Sequence, residues 1–380
     1  MRRVGIVTAL VVGLCVSVWG NPVSAVGSPT PHCSKAAKRA HHGRCPASQA
    51  TSTTTSSPRL LQWSAPDQID PNEYGLYSVS CPTASFCVAA GSTGPGGVRG
   101  SSRTWNGSAW SAPAPELFAQ NTFNHVSCPS ASFCVAGAPD GGALAWDGSS
   151  WSTTAQIRWP DPNDGITNVS CASPSFCAAG DEDGDIRIWN GTSWSIDHQV
   201  VPGSTSGGAH AISCPTATFC MAVNLLGNAI IWDGNAFSAP QPITPNGEQL
   251  AAVSCASPTF CMALDGPSKT WLTWNGSSWS TPQPMGAYQP DPNSIFLNGL
   301  SCPTATFCVA VGSNGTVSEW HGATWSPAQS IDANLANFRG PAAVTTNEHP
   351  NLGLESIACP AANLCVAVGS DGTAIIGRAG

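Results

Sequence analysis

The chain contains few charged residues and few of the sequence signatures that mark a catalytic site. Only 9% of its 380 residues are Asp, Glu, Lys or Arg, and it has 3 tyrosines and 4 methionines. Low charge combined with 39 glycines, 32 prolines and 15 tryptophans favours short strands and tight turns over helices. Neither a G-x-S-x-G elbow nor an H-E-x-x-H motif occurs, so no familiar hydrolytic signature is present.

Acidic residues are missing from the first part of the chain, where none precedes Asp67. Residues 26–59 are instead basic and then rich in Ser and Thr, which predicts a tail and flexible linker. The basic tail is either a contact for an anionic surface or simply solvated. From residue 60 onward, seven basic residues face 22 acidic ones, a net charge of −15. This charge argues against a nucleic-acid partner.

An apolar run of near-membrane length occurs only at the N-terminus. Met1, Arg2 and Arg3 precede an apolar stretch that reaches about Gly20, and small residues follow up to Ala25. This order predicts a signal peptide over residues 1–25 and a secreted protein. The alternative is that the segment is kept as a membrane anchor. No transmembrane segment is expected after cleavage, and association with the cell wall is a further possibility.

Seven closely spaced cysteine pairs reveal an internal repeat. Of the 17 cysteines, Cys15 belongs to the predicted signal peptide, which leaves an even number in the exported chain. Seven C-x5-C units follow, with their first cysteines 41 to 57 residues apart. The units pair Cys81 with Cys87, Cys128 with Cys134, Cys171 with Cys177, Cys214 with Cys220, Cys255 with Cys261, Cys302 with Cys308 and Cys359 with Cys365.

Each unit has the pattern of four short antiparallel strands. The cysteines flank the first turn, the third strand ends in Trp, and Asn-Gly or Asp-Gly usually leads to an aromatic residue on the fourth strand. The last unit stops after a third strand at Thr373–Gly377, whereas residues 60–66 supply a fourth strand with no preceding three. We expect residues 60–66 to join the C-terminal blade and close a ring. The prediction is an all-β, seven-bladed β-propeller over residues 60–380.

The repeat resembles those of WD40/YVTN/BNR-like propellers, and specifically those of secreted bacterial proteins with S-C-P-[TS]-x-x-F-C-V-A-V-G units, as at residues 301–312. The resemblance covers residues 60–380 and implies the fold but no activity. Trp-Asp occurs only at Trp146-Asp147 and Trp232-Asp233, without the Gly-His partner of WD40 repeats. No correctly spaced sialidase Asp-box, S-x-D-x-G-x-x-W, is present.

The cysteines of each unit are predicted to form a disulfide within a single blade. A five-residue gap between antiparallel strands places two cysteines in cross-strand register, and exported chains favour disulfides. Zinc binding by paired thiolates is the rival interpretation, but C-x5-C without a nearby histidine is a poor zinc pattern. Cys33 and Cys45, which lie in the basic tail, are predicted to bridge each other.

The segments that join one blade to the next are the least repetitive part of the sequence, and binding usually resides in variable loops on a rigid scaffold. Trp159 and Trp271 do not fit the repeat register. Trp159 lies beside Arg158 and near Asp161, which suits stacking on a sugar ring. Tyr74 and Tyr288 are further candidate ligand-binding residues. The competing interpretation is that loop aromatics cap the core.

One turn is unusually acidic and is the only candidate for a cofactor site. Asp181, Asp183 and Asp185 place oxygen ligands at alternate positions, which suits calcium. Their order departs from D-x-D-x-D-G, and a solvated acidic turn is the commoner explanation. No other cofactor is expected.

These patterns predict a secreted, monomeric, non-catalytic propeller that binds a glycan or cell-envelope ligand through the face that bears the blade-joining loops. A protein-interaction scaffold is the first alternative. A glycosidase or lyase is the second, and a lyase would pair Tyr288 with one of four histidines. The histidines are His125, His198, His210 and His349.

Processing of the N-terminus can be tested directly. Protein recovered from the culture medium of the native host should lack residues 1–25, because signal peptidase cuts after small residues. Intact-mass spectrometry measures this loss, and digestion without reduction should link Cys33 to Cys45. A full-length mass confined to the membrane fraction would instead favour the retained anchor.

Overall fold

The computed structural model builds the chain from short antiparallel strands. It describes residues 59–70, 75–93, 99–114, 123–138, 142–153, 165–181, 184–195, 198–199, 208–286, 297–332 and 353–380. These ranges contain 28 strands and no α-helix. None of the described residues therefore forms a helix long and apolar enough to cross a membrane. The predicted signal peptide, tail and linker lie outside the described residues.

The strands form seven separate sheets, each built on one cysteine pair. The first three sheets contain β3 (Leu76–Thr83), β4 (Phe86–Thr93) and β5 (Arg99–Trp105); β6 (His125–Ser130), β7 (Phe133–Gly137), β8 (Ala143–Trp146) and β9 (Trp151–Thr153); and β10 (Ile166–Ser173), β11 (Phe176–Asp181), β12 (Asp185–Trp189) and β13 (His198–Gln199).

The next three sheets contain β14 (Ala211–Thr216), β15 (Phe219–Val223), β16 (Asn228–Trp232) and β17 (Gln241–Pro242); β18 (Leu250–Ser257), β19 (Phe260–Asp265), β20 (Thr270–Trp274) and β21 (Gln283–Pro284); and β22 (Leu297–Thr304), β23 (Phe307–Gly312), β24 (Thr316–Trp320) and β25 (Gln329–Ser330). The last sheet contains β26 (Leu354–Ala361), β27 (Leu364–Gly369) and β28 (Thr373–Ala379), with β1 (Leu61–Trp63) and β2 (Asp67–Gln68).

This arrangement confirms the predicted seven-bladed propeller. The innermost strands β3, β6, β10, β14, β18, β22 and β26 each contact the next, and β26 returns to β3. The outermost strands are only two or three residues long. In the first blade the fourth strand is reduced to a single bridge between Trp105 and Trp110.

The closing strand β1 pairs with β28 as predicted from the displaced fourth strand. Leu61 lies opposite Ala379, and Trp63 opposite Gly377. In the other six blades a Trp stands opposite the second cysteine, but the last blade has Gly377 opposite Cys365. A Cβ at Gly377 would lie 2.9 Å from the Trp63 ring, so this ring occupies the space that a side chain would fill.

The seven disulfides predicted within blades are all present, with Cα–Cα distances of 3.9 to 4.1 Å. Each joins the first and second strands of one sheet and holds the register of that hairpin. The predicted bridge between Cys33 and Cys45 lies outside the described residues. The bonds present join Cys81 to Cys87, Cys128 to Cys134, Cys171 to Cys177, Cys214 to Cys220, Cys255 to Cys261, Cys302 to Cys308 and Cys359 to Cys365.

The apolar core is divided among the seven joints between blades. The third-strand tryptophans contribute to it, and Trp105, Trp189, Trp232, Trp274 and Trp320 are each buried. Trp271, which does not fit the repeat register, packs at the joint between the fifth and sixth blades with its ring 4.7 Å from that of Trp320. This contact makes Trp271 a core residue.

A serine directly before the first cysteine links each of six blades to the next. Its hydroxyl accepts a hydrogen bond of 2.9–3.0 Å from the amide of the first cysteine in the following blade. The serines are Ser80, Ser127, Ser170, Ser213, Ser254 and Ser301. Ala358 takes this place in the last blade and has no hydroxyl to accept the bond. The closing joint does have a hydrogen bond from the Val79 amide to Ser356 Oγ at 3.2 Å, and the first joint has its counterpart between the Val126 amide and Ser78 Oγ at 3.0 Å.

A buried ion pair fixes the segment that leads from β2 into the first blade. An Arg103 guanidinium nitrogen lies 3.0 Å from Asp70 Oδ1, and both side chains are fully buried. Arg103 also donates to the carbonyl oxygen of Ile69 at 2.6 Å and to Ser101 Oγ at 3.1 Å. Removing one partner of such a pair leaves an unpaired charge in the interior.

The variant Arg103→Met should therefore lose about 3–5 kcal/mol of unfolding free energy, because Asp70 would stay buried without its cation. Urea unfolding followed by tryptophan fluorescence measures the loss. The matched control is Arg378→Met, since Arg378 lies exposed on β28 and should cost no more than about 0.5 kcal/mol. Equal losses in the two variants would contradict a special role for the buried pair.

Candidate functional site

A cavity of about 670 Å³ lies at the centre of the ring and is lined by the innermost strands of all seven blades. Leu225, Gly266 and Pro267 also line it, and they come from turns between second and third strands. These turns lie at the end of the sheets where each innermost strand begins. The cysteine turns lie at the opposite end. A concave site of this volume is typical of ligand pockets.

The mouth of the cavity carries a set of mostly polar side chains, which we name the polar ring. It consists of the residue four positions before the first cysteine of each blade. In ring order these are Tyr77, Asn124, Thr167, His210, Ala251, Asn298 and Glu355. Because the innermost strands all run in one direction, equivalent positions meet at one level. Successive side chains of a strand point to opposite faces. The residue before each member of the polar ring can therefore pack inside its blade, as Leu76 does before Tyr77 and Leu354 before Glu355, both leucines being buried.

Hydrogen bonds hold several members of the polar ring in place. Tyr77 Oη lies 3.1 Å from Ser92 Oγ. Thr167 Oγ1 lies 3.1 Å from the carbonyl oxygens of both Gly180 and Ala209, and can donate to either. Asn298 Nδ2 donates to the carbonyl oxygen of Leu354 at 3.1 Å, across the joint between the last two blades. Three of the seven members of the polar ring are therefore held in place before a ligand binds.

Two ionisable groups of the cavity have shifted pKa values. Burial lowers the pKa of His125 to about 4, and the nearby His210 lowers it further in the same direction. Burial raises the pKa of Glu355 to about 7, against a smaller opposing effect of the hydrogen bond from the Ser370 hydroxyl. At neutral pH His125 is thus uncharged, and Glu355 is poised between its two protonation states.

A rigid apolar turn projects beside the cavity. Asn224 Oδ1 accepts hydrogen bonds from the amides of Leu226 at 3.1 Å and Asn228 at 2.9 Å, which fixes the turn. Leu225 lines the cavity. Leu226 is 49% exposed and, with Leu60, is one of two large apolar side chains exposed among the described residues. The turn therefore places an apolar side chain, that of Leu225, against the cavity and exposes the neighbouring Leu226 to solvent.

The predicted ligand-binding residues of the blade-joining segments fall outside the described residues. They are Trp159, Arg158, Asp161, Tyr288 and Tyr74, and their role stays a prediction. Of the histidines considered for a lyase, His125 and His210 line the cavity. His349 and Tyr288 lie outside the described residues, and the backbone of His198 pairs with Ile186 on β12.

The acidic turn after β11 uses its first carboxylate to cap the backbone. Asp181 is buried, and its Oδ1 accepts a hydrogen bond of 2.8 Å from the amide of Asp185. Asp183 lies outside the described residues. Across the described ranges, no three His, Cys, Asp or Glu side chains group closely enough to hold a metal ion. Calcium binding at this turn stays a prediction.

Solved structures of other proteins share the architecture of this chain. The structure of YCF48 bound to D1 peptide is 15% identical with a TM-score of 0.60, over 85% of this chain and 99% of that one. The WD40 β-propeller domain of Doa1 is 12% identical with a TM-score of 0.62, over 84% and 97% respectively. At these identities the likeness shows the fold alone. The chain is thus a seven-bladed, WD40-like β-propeller. No protein-family profile and no curated sequence matches it.

The lowered pKa of His125 predicts a pH dependence of stability. The ordinary pKa is 6.5 and the folded value is about 4, so as the pH falls through this window the unfolded chain takes up the proton first. Stability is therefore lost between pH 6.5 and 4. The measurement is the free energy of unfolding by urea at pH 7 and at pH 4.5. Between these two pH values, His125→Gln should lose about 2 kcal/mol less of this free energy than the parent protein does. Glu355 acts in the opposite sense in both proteins, so its effect cancels. Identical pH dependence in the two proteins would refute the assignment.

Proposed function

We propose that this protein is an extracellular binding propeller that takes an extended peptide segment of a partner into its central cavity. The observation that carries the proposal is the polar ring, since it places one side chain from each of seven blades, of six residue types, around one cavity of about 670 Å³. Side chains from all seven blades can therefore contact a ligand bound in this cavity, and each blade can contribute its own contact.

The chemistry of the cavity mouth suits a peptide backbone. Asn124, Asn298 and Gln249 line the cavity, and each side-chain amide offers both a donor and an acceptor, as a peptide bond does. The Leu225–Leu226 turn adds an apolar contact for a side chain. The fold is also that of YCF48, which has been solved with a bound peptide.

An extracellular location fits the seven disulfides of the described blades, since such bonds persist in oxidising compartments. The predicted signal peptide over residues 1–25 supports the same proposal.

A glycan or cell-envelope polymer is the second candidate ligand. The observation that favours it is the aromatic and charged character of the blade-joining segments, with Trp159, Tyr288 and Tyr74 next to carboxylates or amides.

The purified propeller should be screened in parallel against a random heptapeptide phage library and a glycan array. We expect peptides to be enriched and their binding to be lost in Ala251→Trp, because the indole would fill the cavity from the polar ring. The melting temperature should change by no more than a few degrees, since Ala251 is half-buried and lines open space. The matched control Ser132→Trp lies at the cysteine-turn end and should bind normally. Glycan binding without peptide enrichment would favour the second candidate, and retention of binding by Ala251→Trp would remove the cavity from the site.

A further inference from the structure

We infer that the bound segment presents a cationic side chain, a lysine ammonium or an arginine guanidinium, to Glu355 in the polar ring. This inference rests on the proposed function, because it names the chemistry of the ligand that the cavity takes.

The charge of the cavity is carried by Glu355. Among the described residues that line the cavity, Glu355 is the only carboxylate, and neither Lys nor Arg occurs. In ring order Glu355 stands between Asn298 and Tyr77. An amide oxygen, a carboxylate and an aromatic ring in succession form a favourable surround for an ammonium or guanidinium group, since aromatic faces also attract cations.

Glu355 has no cationic partner within the described part of the chain. Its contact there is the hydroxyl of Ser370, which is itself engaged with the backbone of Gly353. A half-buried carboxylate that lacks a counter-ion is costly to ionise, which is consistent with its raised pKa of about 7. A bound cation would remove this cost by stabilising the carboxylate.

The other titratable groups near Glu355 leave its charge uncompensated. The neighbouring strands β3, β22 and β27 contribute only Tyr77 besides disulfide cysteines. Across the cavity stand His125 and His210, and His125 with a pKa of about 4 is neutral at physiological pH. The net charge of −15 over residues 60–380 would also attract a basic segment from solution.

The test is to pan the random heptapeptide phage library on the parent protein and on Glu355→Gln. We expect peptides selected on the parent to be enriched in Lys or Arg at one position, and the enrichment to vanish on the variant. The control is Asp233→Asn, which removes one exposed carboxylate at the opposite end. Its turn should persist because Asn106, Asn190 and Asn275 make the same hydrogen bonds in other blades.

One selected peptide should then be synthesised with its basic residue intact or replaced by glutamine. For the parent protein, the replacement should weaken binding at least about tenfold, as expected for loss of a desolvated charge pair. Affinity for the basic peptide should also fall about tenfold per pH unit below the pKa of Glu355, and Glu355→Gln should abolish this pH dependence. Because the peptide substitution leaves the protein unchanged, it decides the question even if Glu355→Gln fails to fold.

The outcomes separate the two proposals. Selected peptides without a basic residue, or a basic residue that can be replaced without loss, would overturn the cation inference and leave the peptide-binding function intact. If the library yields no peptide that depends on the cavity, the proposed function itself fails.

Discussion

The pairing of β1 with β28 is the constraint on which the rest of the propeller depends. It supplies the missing fourth strand of the last blade and lets β26 meet β3. The closing joint differs from the other six, since Ala358 stands in place of the linking serine, while the Val79 amide still donates to Ser356 Oγ. Glu355 and Tyr77 stand on the two sides of this joint. Closure of the ring therefore brings Glu355, the one carboxylate of the polar ring, next to Tyr77.

The two ends of the propeller have different roles. At the cysteine-turn end the blades are nearly uniform, and the third-strand indoles of Trp105, Trp146 and Trp189 each donate to a carbonyl of the adjacent turn at 3.0 to 3.3 Å. At the cavity end, equivalent positions differ from blade to blade. Uniform contacts fix the spacing of the blades, and this regularity allows the polar ring to vary without loss of the fold.

Local chemistry explains how much could be predicted from sequence. The C-x5-C spacing, the Trp hairpins and the displaced strand at residues 60–66 each act within a few residues or one sheet, and the fold, the closure and seven disulfides follow from them. The polar ring is different, because Tyr77, Asn124 and Glu355 share no residue type and come together only through contacts between distant strands. Counting four residues back from each first cysteine would have found it. Trp271 shows the converse, since a residue outside the repeat register proved to pack against Trp320.

The antiparallel contact between β1 and β28 also has a consequence for the order of folding. An exported chain emerges from its N-terminus onward, so β1 appears first among the described strands and its partner β28 last. Contacts between successive blades can form as each emerges, because they join neighbours in sequence. The last sheet must wait until β28 is available, while β1 remains an unpaired edge. A chain interrupted before Thr373 would keep that edge open, so the ring closes only in molecules that contain the last blade.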